Sequence, residues 1–113
     1  MPLPLSPQRL AERGFNQSQE IARLLAHATS TQLCVEVLAR TRHTVPQSML
    51  PWKERARNVR GAFRCDTDLS GRCIALVDDV LTTGATLNEA ARVLKKNGAR
   101  EVIGWVAARV LPR

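Results

Sequence analysis

One continuous stretch, Cys73–Thr86, constrains the fold more than any other part of the chain. It begins with Cys73–Val77, a short apolar run rich in β-branched residues, which is typical of a strand buried on both faces of a parallel sheet. Two adjacent carboxylates follow, Asp78 and Asp79. In open α/β sheets, ligands bind beyond the carboxyl ends of the strands. We therefore expect the two aspartates to face a ligand crevice.

The loop after the aspartates predicts an anion site. It consists of Thr82, Thr83, Gly84, Ala85 and Thr86. Three hydroxyls, a glycine free to take positive φ and a small alanine allow close approach of an anion. The loop runs into residues 87–96, where apolar residues recur at helical spacing. Because a helix amino terminus offers backbone N–H groups and partial positive charge, a phosphate is the expected occupant.

Two other interpretations of this stretch are open. A threonine can cap a helix at an ordinary strand-to-helix turn, beside a solvated pair of aspartates. An aspartate at a strand end can also be the phospho-acceptor of a receiver-like fold, although the glycine-bearing loop argues against this. A sugar carrying a diol and a phosphate suits the stretch best, because Asp78 and Asp79 supply acceptors for hydroxyls and the loop supplies donors for phosphate.

The stretch resembles the phosphoribosyl-pyrophosphate signature of the type I phosphoribosyltransferases, which is an apolar strand, two acidic residues and then Thr-Gly-x-Thr. Leu76–Thr86 contains the whole pattern. The resemblance implies that Asp78 and Asp79 are catalytic and that Thr82–Thr86 bind the ribose 5-phosphate. It also implies Mg²⁺ as the cofactor, held through the ribose hydroxyls near the aspartates and not by direct protein ligands.

The size and composition of the chain fit one small domain spanning residues 1–113, large enough for a sheet of about four or five strands. The formal charge of +7 favours anionic partners. The three cysteines, Cys34, Cys65 and Cys73, form no C-x-x-C pair and suggest no disulfide framework. No apolar run approaches the ~20 residues of a membrane span, and no signal peptide is visible, so we expect a cytoplasmic protein without membrane insertion.

The first part of the chain contains a second candidate site. We expect a loop over Arg9–Gln17, and a helix after it with Asn16 as the N-cap. Neighbouring strand-end loops face the same crevice, so Arg13 and Gly14 are predicted to bind the diphosphate end of the ligand. Arg13-Gly14-Phe15 also resembles the pyrophosphate loop of the adenine-specific phosphoribosyltransferases. The alternative for the arginines is solvated loop charge.

Two further strands are predicted, on either side of a basic segment in the middle of the chain. Alternating apolar residues over Gln32–Leu38 predict a strand, and residues 102–108 predict a buried final strand. Between them, residues 40–64 are basic and polar, which indicates a mobile loop and a candidate lid carrying Arg55 and Arg57. Apolar residues at helical spacing over Trp52–Val59 predict that part of this segment is helical. The order of elements predicts an α/β fold, a doubly wound parallel sheet flanked by helices.

Nearly the whole chain is similar to the phosphoribosyltransferase domain of the competence protein ComF family, which includes GntX. The resemblance is carried by the signature above together with Arg13-Gly14-Phe15, Thr44–Gln47 and Arg57–Phe63. It implies phosphoribosyl pyrophosphate as a ligand and DNA or competence-machinery proteins as partners, and a homodimer is compatible with it. Full-length members usually carry an N-terminal zinc ribbon of four cysteines, a pattern that is not found within these 113 residues. We find no segment for a base-binding hood, so the hood is expected to be absent or minimal and the acceptor is not identified.

Three functions follow from these expectations. The first is transfer of a phosphoribosyl group to an unidentified acceptor. The second is a non-catalytic phosphoribosyl-pyrophosphate sensor or DNA-uptake partner, because the fold alone does not fix activity. The third is single-stranded DNA binding through residues 40–64, which the scarcity of aromatic residues there disfavours.

Overall fold

The computed structural model describes residues 1–41, 49–81 and 84–109. Within these ranges the helices are α1 (Pro7–Arg13), α2 (Gln17–Thr29), α3 (Arg55–Val59) and α4 (Ala85–Lys96), and a 3₁₀ turn covers Trp52–Glu54. The strands are β1 (Leu38–Arg40), β2 (Phe63–Cys65), β3 (Cys73–Leu81) and β4 (Glu101–Arg109). None of the helices described has the length and apolar character needed to cross a membrane.

Strand β3 is the centre of a small parallel sheet. It pairs in parallel with β4 on one side, from Cys73↔Glu101 to Leu81↔Arg109. On its other side the first residues of the chain run parallel to it: the N–H of Leu3 donates to the carbonyl of Val77 at 2.8 Å, and the N–H of Val77 donates to the carbonyl of Met1 at 2.9 Å. The predicted strand over Cys73–Val77 is therefore confirmed in a parallel sheet. Burial on both faces is seen at Leu76 and Val77, which are adjacent and 1% and 2% exposed, whereas Cys73 is exposed.

The predicted α/β class is confirmed, but a doubly wound sheet of four or five strands is not seen in the described residues. Strands β1 and β2 form a separate antiparallel pair, from Leu38↔Cys65 to Arg40↔Phe63. The strand predicted over Gln32–Leu38 is wrong, since regular pairing begins only at Leu38. The alternating apolar side chains of that segment are half-buried and pack without a partner strand among the described residues.

The amino-terminal helices show one wrong and one confirmed prediction. Pro7–Arg13 is helical and not a loop, because the Ser6 hydroxyl accepts the Arg9 N–H at 3.2 Å and Pro7 suits the first helical turn. Asn16 caps α2 as predicted: its Oδ1 accepts the N–H groups of Ser18 at 3.0 Å and of Gln19 at 3.4 Å.

The described part of the basic middle segment is packed, and the stretch predicted to be helical, Trp52–Val59, contains a 3₁₀ turn and α3. Residues 52–65 contain the 3₁₀ turn, α3 and β2. Val59, Ala62 and Phe63 are buried, and α3 and β2 both contact α4. A few apolar residues at the right spacing are enough to fix a segment that is otherwise charged. Residues 42–48, including Thr44–Gln47, lie outside the described residues.

The core lies between the parallel sheet, α4 and the β1–β2 pair. Leu76 of β3 and Leu94 of α4 are 1% and 0% exposed, and Leu38 and Phe63 belong to the same cluster. Helix α4 contributes Ala90, Val93 and Leu94, one apolar face of an amphipathic helix. This packing fixes α4 against the sheet, and the start of α4 follows the carboxyl end of β3, near the candidate site, after a short loop.

Candidate functional site

The two aspartates lie near the carboxyl end of β3, and each is held by the backbone that follows it. The Asp79 N–H donates to Oδ1 of Asp78 at 2.8 Å, and the Val80 N–H donates to Oδ1 of Asp79 at 2.9 Å. Both side chains are half-buried. The strand therefore presents two adjacent carboxylates at its end, each with acceptor capacity left for a ligand hydroxyl.

The carboxyl of Asp78 has an unusual pKa. Burial raises it first, and a side-chain hydrogen bond and the charge of Asp79 raise it further, whereas the Asp79 N–H and the Ser18 hydroxyl lower it. The net result is a pKa of about 6 for Asp78, against an ordinary value of 3.8. A carboxyl of this kind changes its charge near neutral pH, so it can either accept or donate a proton at the end of the strand.

The start of α2 lies against two strand ends. The Ser18 hydroxyl donates to Oδ1 of Asp78 at 3.4 Å, and the Asn16 Nδ2 donates to the carbonyl of Leu3 at 3.2 Å. Ser18 is 5% exposed. Sequence reasoning missed Ser18, although a serine two residues after the helix cap Asn16 was a usable signal.

The loop that precedes α4 is described only in part. Gly84 has φ 84° and ψ 0°, a left-handed conformation, and its carbonyl accepts the Asn88 N–H at 2.8 Å. A Cβ at this glycine would meet its nearest neighbours at 3.8 Å, so the conformation and not the space requires glycine. Ala85 and Thr86 follow, both half-buried. Thr82 and Thr83 lie outside the described residues, and their role stays a prediction.

The Arg13–Gly14 turn precedes the contacts of α2. Arg13 ends α1 and is exposed, and Gly14 takes φ 83° with its N–H donated to the carbonyl of Leu10 at 2.7 Å. Asn16, two residues later, is bonded to Leu3. The turn is thereby tied to the same end of the sheet as Ser18. In the described part of the chain, no hydrogen bond or ion pair joins Arg13 to either aspartate, and diphosphate binding by Arg13 and Gly14 stays a prediction.

The two arginines predicted for a lid have different surroundings. Arg55 is 7% exposed, and its Nε donates to the carbonyl of Leu50 at 3.1 Å. Arg57 is exposed on α3. The turn after α3 is fastened to α4, because the Gly61 N–H donates to Oε1 of Glu89 at 3.1 Å. Arg55 is thus buried at the start of α3, and a lid role for either arginine stays a prediction.

A hydrogen-bonded ion pair fixes the carboxylate that receives Gly61. Oε1 of Glu89 is 2.6 Å from a guanidinium nitrogen of Arg92 on the same helix. The hydrogen bond from Arg92 holds the pKa of Glu89 below its usual value, with smaller contributions from the Gly61 N–H and from Arg60. Glu89 is consequently charged near neutral pH and keeps the turn after α3 against the amino-terminal half of α4.

The carboxylates can be tested for their fit to Mg²⁺. Among the described residues, no group of three or more His, Cys, Asp and Glu side chains is arranged to hold a metal ion. Mg²⁺ commonly uses one or two carboxylates, completing its shell with water and with oxygens of a phosphorylated substrate. Asp78 and Asp79 are too few to hold the ion alone, which fits an ion held near them through water and through the hydroxyls and phosphates of a ligand.

Comparison with known proteins gives the family. The phosphoribosyl transferase domain matches residues 10–110. The DNA utilization protein YhgH of Escherichia coli O157:H7 is 40% identical over 109 residues, which are 96% of this chain and 48% of that protein. The competence protein F of Haemophilus influenzae is 36% identical over 112 residues, covering 96% of this chain and 49% of that protein.

A more distant relative extends the comparison. The competence protein ComFC of Bacillus subtilis is 35% identical over 101 residues, which are 87% of this chain and 38% of that protein. The chain thus spans about half the length, or less, of these curated relatives. No solved structure matches the chain. The chain belongs to the phosphoribosyl transferase domain family, in the group of the ComF competence proteins.

Proposed function

We propose that this domain binds phosphoribosyl pyrophosphate with Mg²⁺ and transfers the phosphoribosyl group to an acceptor. One observation supports this most: Asp78 and Asp79 lie in the last four residues of β3, which ends at Leu81, and the left-handed Gly84 caps α4 a few residues later. A sugar ligand can therefore meet two carboxylates and a helix amino terminus in one strand–loop–helix unit. These groups match the diol and the 5-phosphate of the ligand.

The reaction separates diphosphate from C1 of the ribose, with cationic character developing on the sugar ring and negative charge on the leaving group. Asp78 and Asp79 bind the ribose hydroxyls and stabilise the positive charge of the ring. Thr82, Thr83, Gly84, Ala85 and Thr86 hold the 5-phosphate, so that C1 stays fixed while the bond breaks. Arg13 and Gly14 bind the diphosphate, and a Mg²⁺ ion bound with the ligand would supply positive charge for that leaving group.

Ser18 and the pKa of Asp78 add to this scheme. A buried hydroxyl fixes one oxygen of Asp78, so the carboxyl meets the ribose in one orientation. Asp78 is partly protonated near neutral pH, and a nearby cation favours its charged form. Binding of Mg²⁺ and the ligand should therefore release a proton from Asp78 at about pH 6.

Titration calorimetry with phosphoribosyl pyrophosphate and Mg²⁺ tests the binding step, and release of pyrophosphate with a panel of bases and amines tests transfer. Asp79→Asn should weaken binding or abolish turnover, because it removes one charged acceptor from the diol. Asp66→Asn is a control with the same charge change in the exposed Arg64–Asp66 pair. Failure of the unaltered chain to bind the ligand, with or without Mg²⁺, would overturn the proposal.

The names of the relatives favour a second candidate. Those proteins are called competence and DNA utilization proteins, and this chain carries a formal charge of +7. The alternative is a non-catalytic sensor of phosphoribosyl pyrophosphate, or a DNA-uptake partner that binds nucleic acid through residues 40–64. Binding of the ligand without turnover would favour the sensor. Salt-sensitive binding of an oligonucleotide that survives Asp79→Asn would favour nucleic acid.

A further inference from the structure

Strand β4 (Glu101–Arg109) has an open outer edge in the described part of the chain. Its inner edge pairs with β3 along nearly its whole length, and no described strand pairs with the other edge. An open edge of nine residues presents a row of backbone N–H and C=O groups in the geometry of a sheet. The partner that such an edge accepts most readily is another strand.

Large apolar side chains are exposed beside this edge. Alternate residues of a strand share a face, so Ile103 and Trp105 lie on one face and Gly104 on the other. The Gly104 face is covered by α4, because a Cβ on Gly104 would lie 3.3 Å from Leu87. Ile103 is 46% exposed and Trp105 is 36% exposed. The face opposite α4 is therefore apolar and open to solvent at its centre.

Charges of opposite sign stand at the two ends of the same face. Glu101 and Arg109 are both exposed, and each is four residues from Trp105. Neither forms an ion pair with another residue in the described ranges. We propose that two copies of this chain pair through their β4 edges as antiparallel strands, with Trp105 on the twofold axis.

The register follows from the sequence of the strand. With Trp105 on the axis, Glu101 of each copy lies opposite Arg109 of the other, and Ile103 lies opposite Ala107. Opposite charges and apolar pairs at facing positions stabilise antiparallel strands. If one strand slides by two residues along the other, Arg109 lies opposite Ile103 and the charge pairs are lost. If it slides by one residue, the apolar faces of the two copies no longer lie on the same side of the joined sheet.

The orientation follows from the same residues. A parallel pairing in register would place Glu101 against Glu101 and Arg109 against Arg109, and like charges at facing positions are destabilising. An antiparallel pair related by a twofold axis is also self-limiting, because each copy uses the same surface once. The pairing joins the two parallel sheets into one continuous sheet with antiparallel strands at its centre.

The area of such an interface sets the expected strength. Two nine-residue strands bury less surface than the roughly 1,200 Å² of stable complexes. We therefore expect association that depends on concentration, measurable by sedimentation velocity of the 12.5 kDa chain between about 10 μM and 1 mM at low salt. A chain that sediments as a monomer at the highest concentration overturns the proposal.

Charge reversal tests the register. Glu101→Arg alone, or Arg109→Glu alone, places like charges against each other twice, and each should weaken association about tenfold or more. The double variant restores both pairs in the opposite sense and should return association to within about threefold of the unaltered chain. Single variants without effect, or a double variant that stays monomeric while folded, would contradict the pairing.

Matched controls separate this effect from net charge. Glu36→Arg and Arg100→Glu make the same charge changes at exposed positions outside the strand and should leave association unchanged.

Hydrogen exchange supplies a second measurement, because the exchange rates of β4 amides that point to the outer edge should fall as the protein concentration rises. A dimer whose β4 amides exchange at the same rate at all concentrations would show that another surface is used. None of these results depends on ligand binding.

Discussion

The hydroxyl of Ser18 donates a hydrogen bond to the carboxylate of Asp78, joining two residues that are 60 positions apart in the chain. The contact ties the start of α2 to the end of β3. It brings the start of α2, which follows the Arg13–Gly14 turn, next to the acidic pair of the family signature. The buried hydroxyl also acts on the charge of the carboxyl that it contacts.

Ser18→Ala should raise the pKa of Asp78 further, because the hydroxyl stabilises the charged carboxylate. The expected cost in stability is below about 1 kcal/mol, since the bond is long and Asp78 keeps the Asp79 N–H. Carboxyl chemical shifts of Asp78 followed by NMR from pH 3 to 9 give the pKa directly. Ser70→Ala is the control: it removes a bond that lowers the pKa of the distant Asp68. An unchanged or lower pKa of Asp78 in Ser18→Ala would contradict the assigned contact.

The raised pKa of Asp78 makes the stability of the fold fall as pH rises. The folded state holds the proton up to about pH 6, whereas the unfolded chain releases it near 3.8. Between these values the folded state binds more protons, so the free energy of unfolding decreases with pH, by up to the order of 3 kcal/mol from this group. Urea unfolding at pH 4 and pH 8, compared with a variant that lacks this carboxyl, measures the contribution.

Asp78→Asn should remove that decrease, because an amide does not titrate in this range. Relative to the unaltered chain, Asp78→Asn should therefore be more stable at pH 8 than at pH 4, when stability is measured as the free energy of unfolding. Asp68→Asn is a control of opposite sign, since the pKa of Asp68 is lowered by its hydrogen bonds to Ser70. An identical pH dependence in Asp78→Asn and the unaltered chain would show that Asp78 is not buried as described.

Local signals in the sequence were enough for the parts of the fold built by short-range interactions. Cys73–Val77 was readable as a buried strand and Asn16 as a helix cap, because each depends on neighbouring residues. Helix α1 was not predicted, although Ser6 and Pro7 carry a start signal, because its seven residues are too few to show a helical repeat of apolar residues. The β1–β2 pairing was missed because it joins residues 23 to 27 positions apart with short strands and no hairpin turn.

The acidic pair of the candidate site was predictable from the sequence, whereas the residues that contact the pair were not. Asp78 and Asp79 belong to a contiguous motif, so their place at a strand end follows from the sequence itself. The contact of Ser18 with Asp78 depends on how α2 packs against the sheet, which no local pattern records. The packed position of Arg55 has the same origin: its charge indicated an exposed loop, whereas neighbouring apolar residues bury α3 against α4.

Leu94→Ala should destabilise the fold by about 2–5 kcal/mol, because the side chain is fully buried where α4 meets the core cluster. The matched control is Leu24→Ala on α2, where the side chain is 63% exposed and the loss should stay within about 0.5 kcal/mol. Chemical unfolding of both variants measures the difference. Equal losses would show that α4 is not packed as described.

Gly84→Ala separates a structural from a functional role of the glycine that precedes α4. The residue takes φ 84°, so alanine should cost about 1–2 kcal/mol through backbone strain. Gly71→Ala is the matched control, because Gly71 has a similar φ of 75° and a Cβ there would have open space, in a turn at the opposite end of β3. Chemical unfolding should give similar losses of stability for the two variants.

Calorimetry with phosphoribosyl pyrophosphate should then show weaker binding for Gly84→Ala alone, since a distorted helix start no longer directs its amides at the 5-phosphate. Equal affinity of the two variants would show that the Gly84 turn does not hold the phosphate.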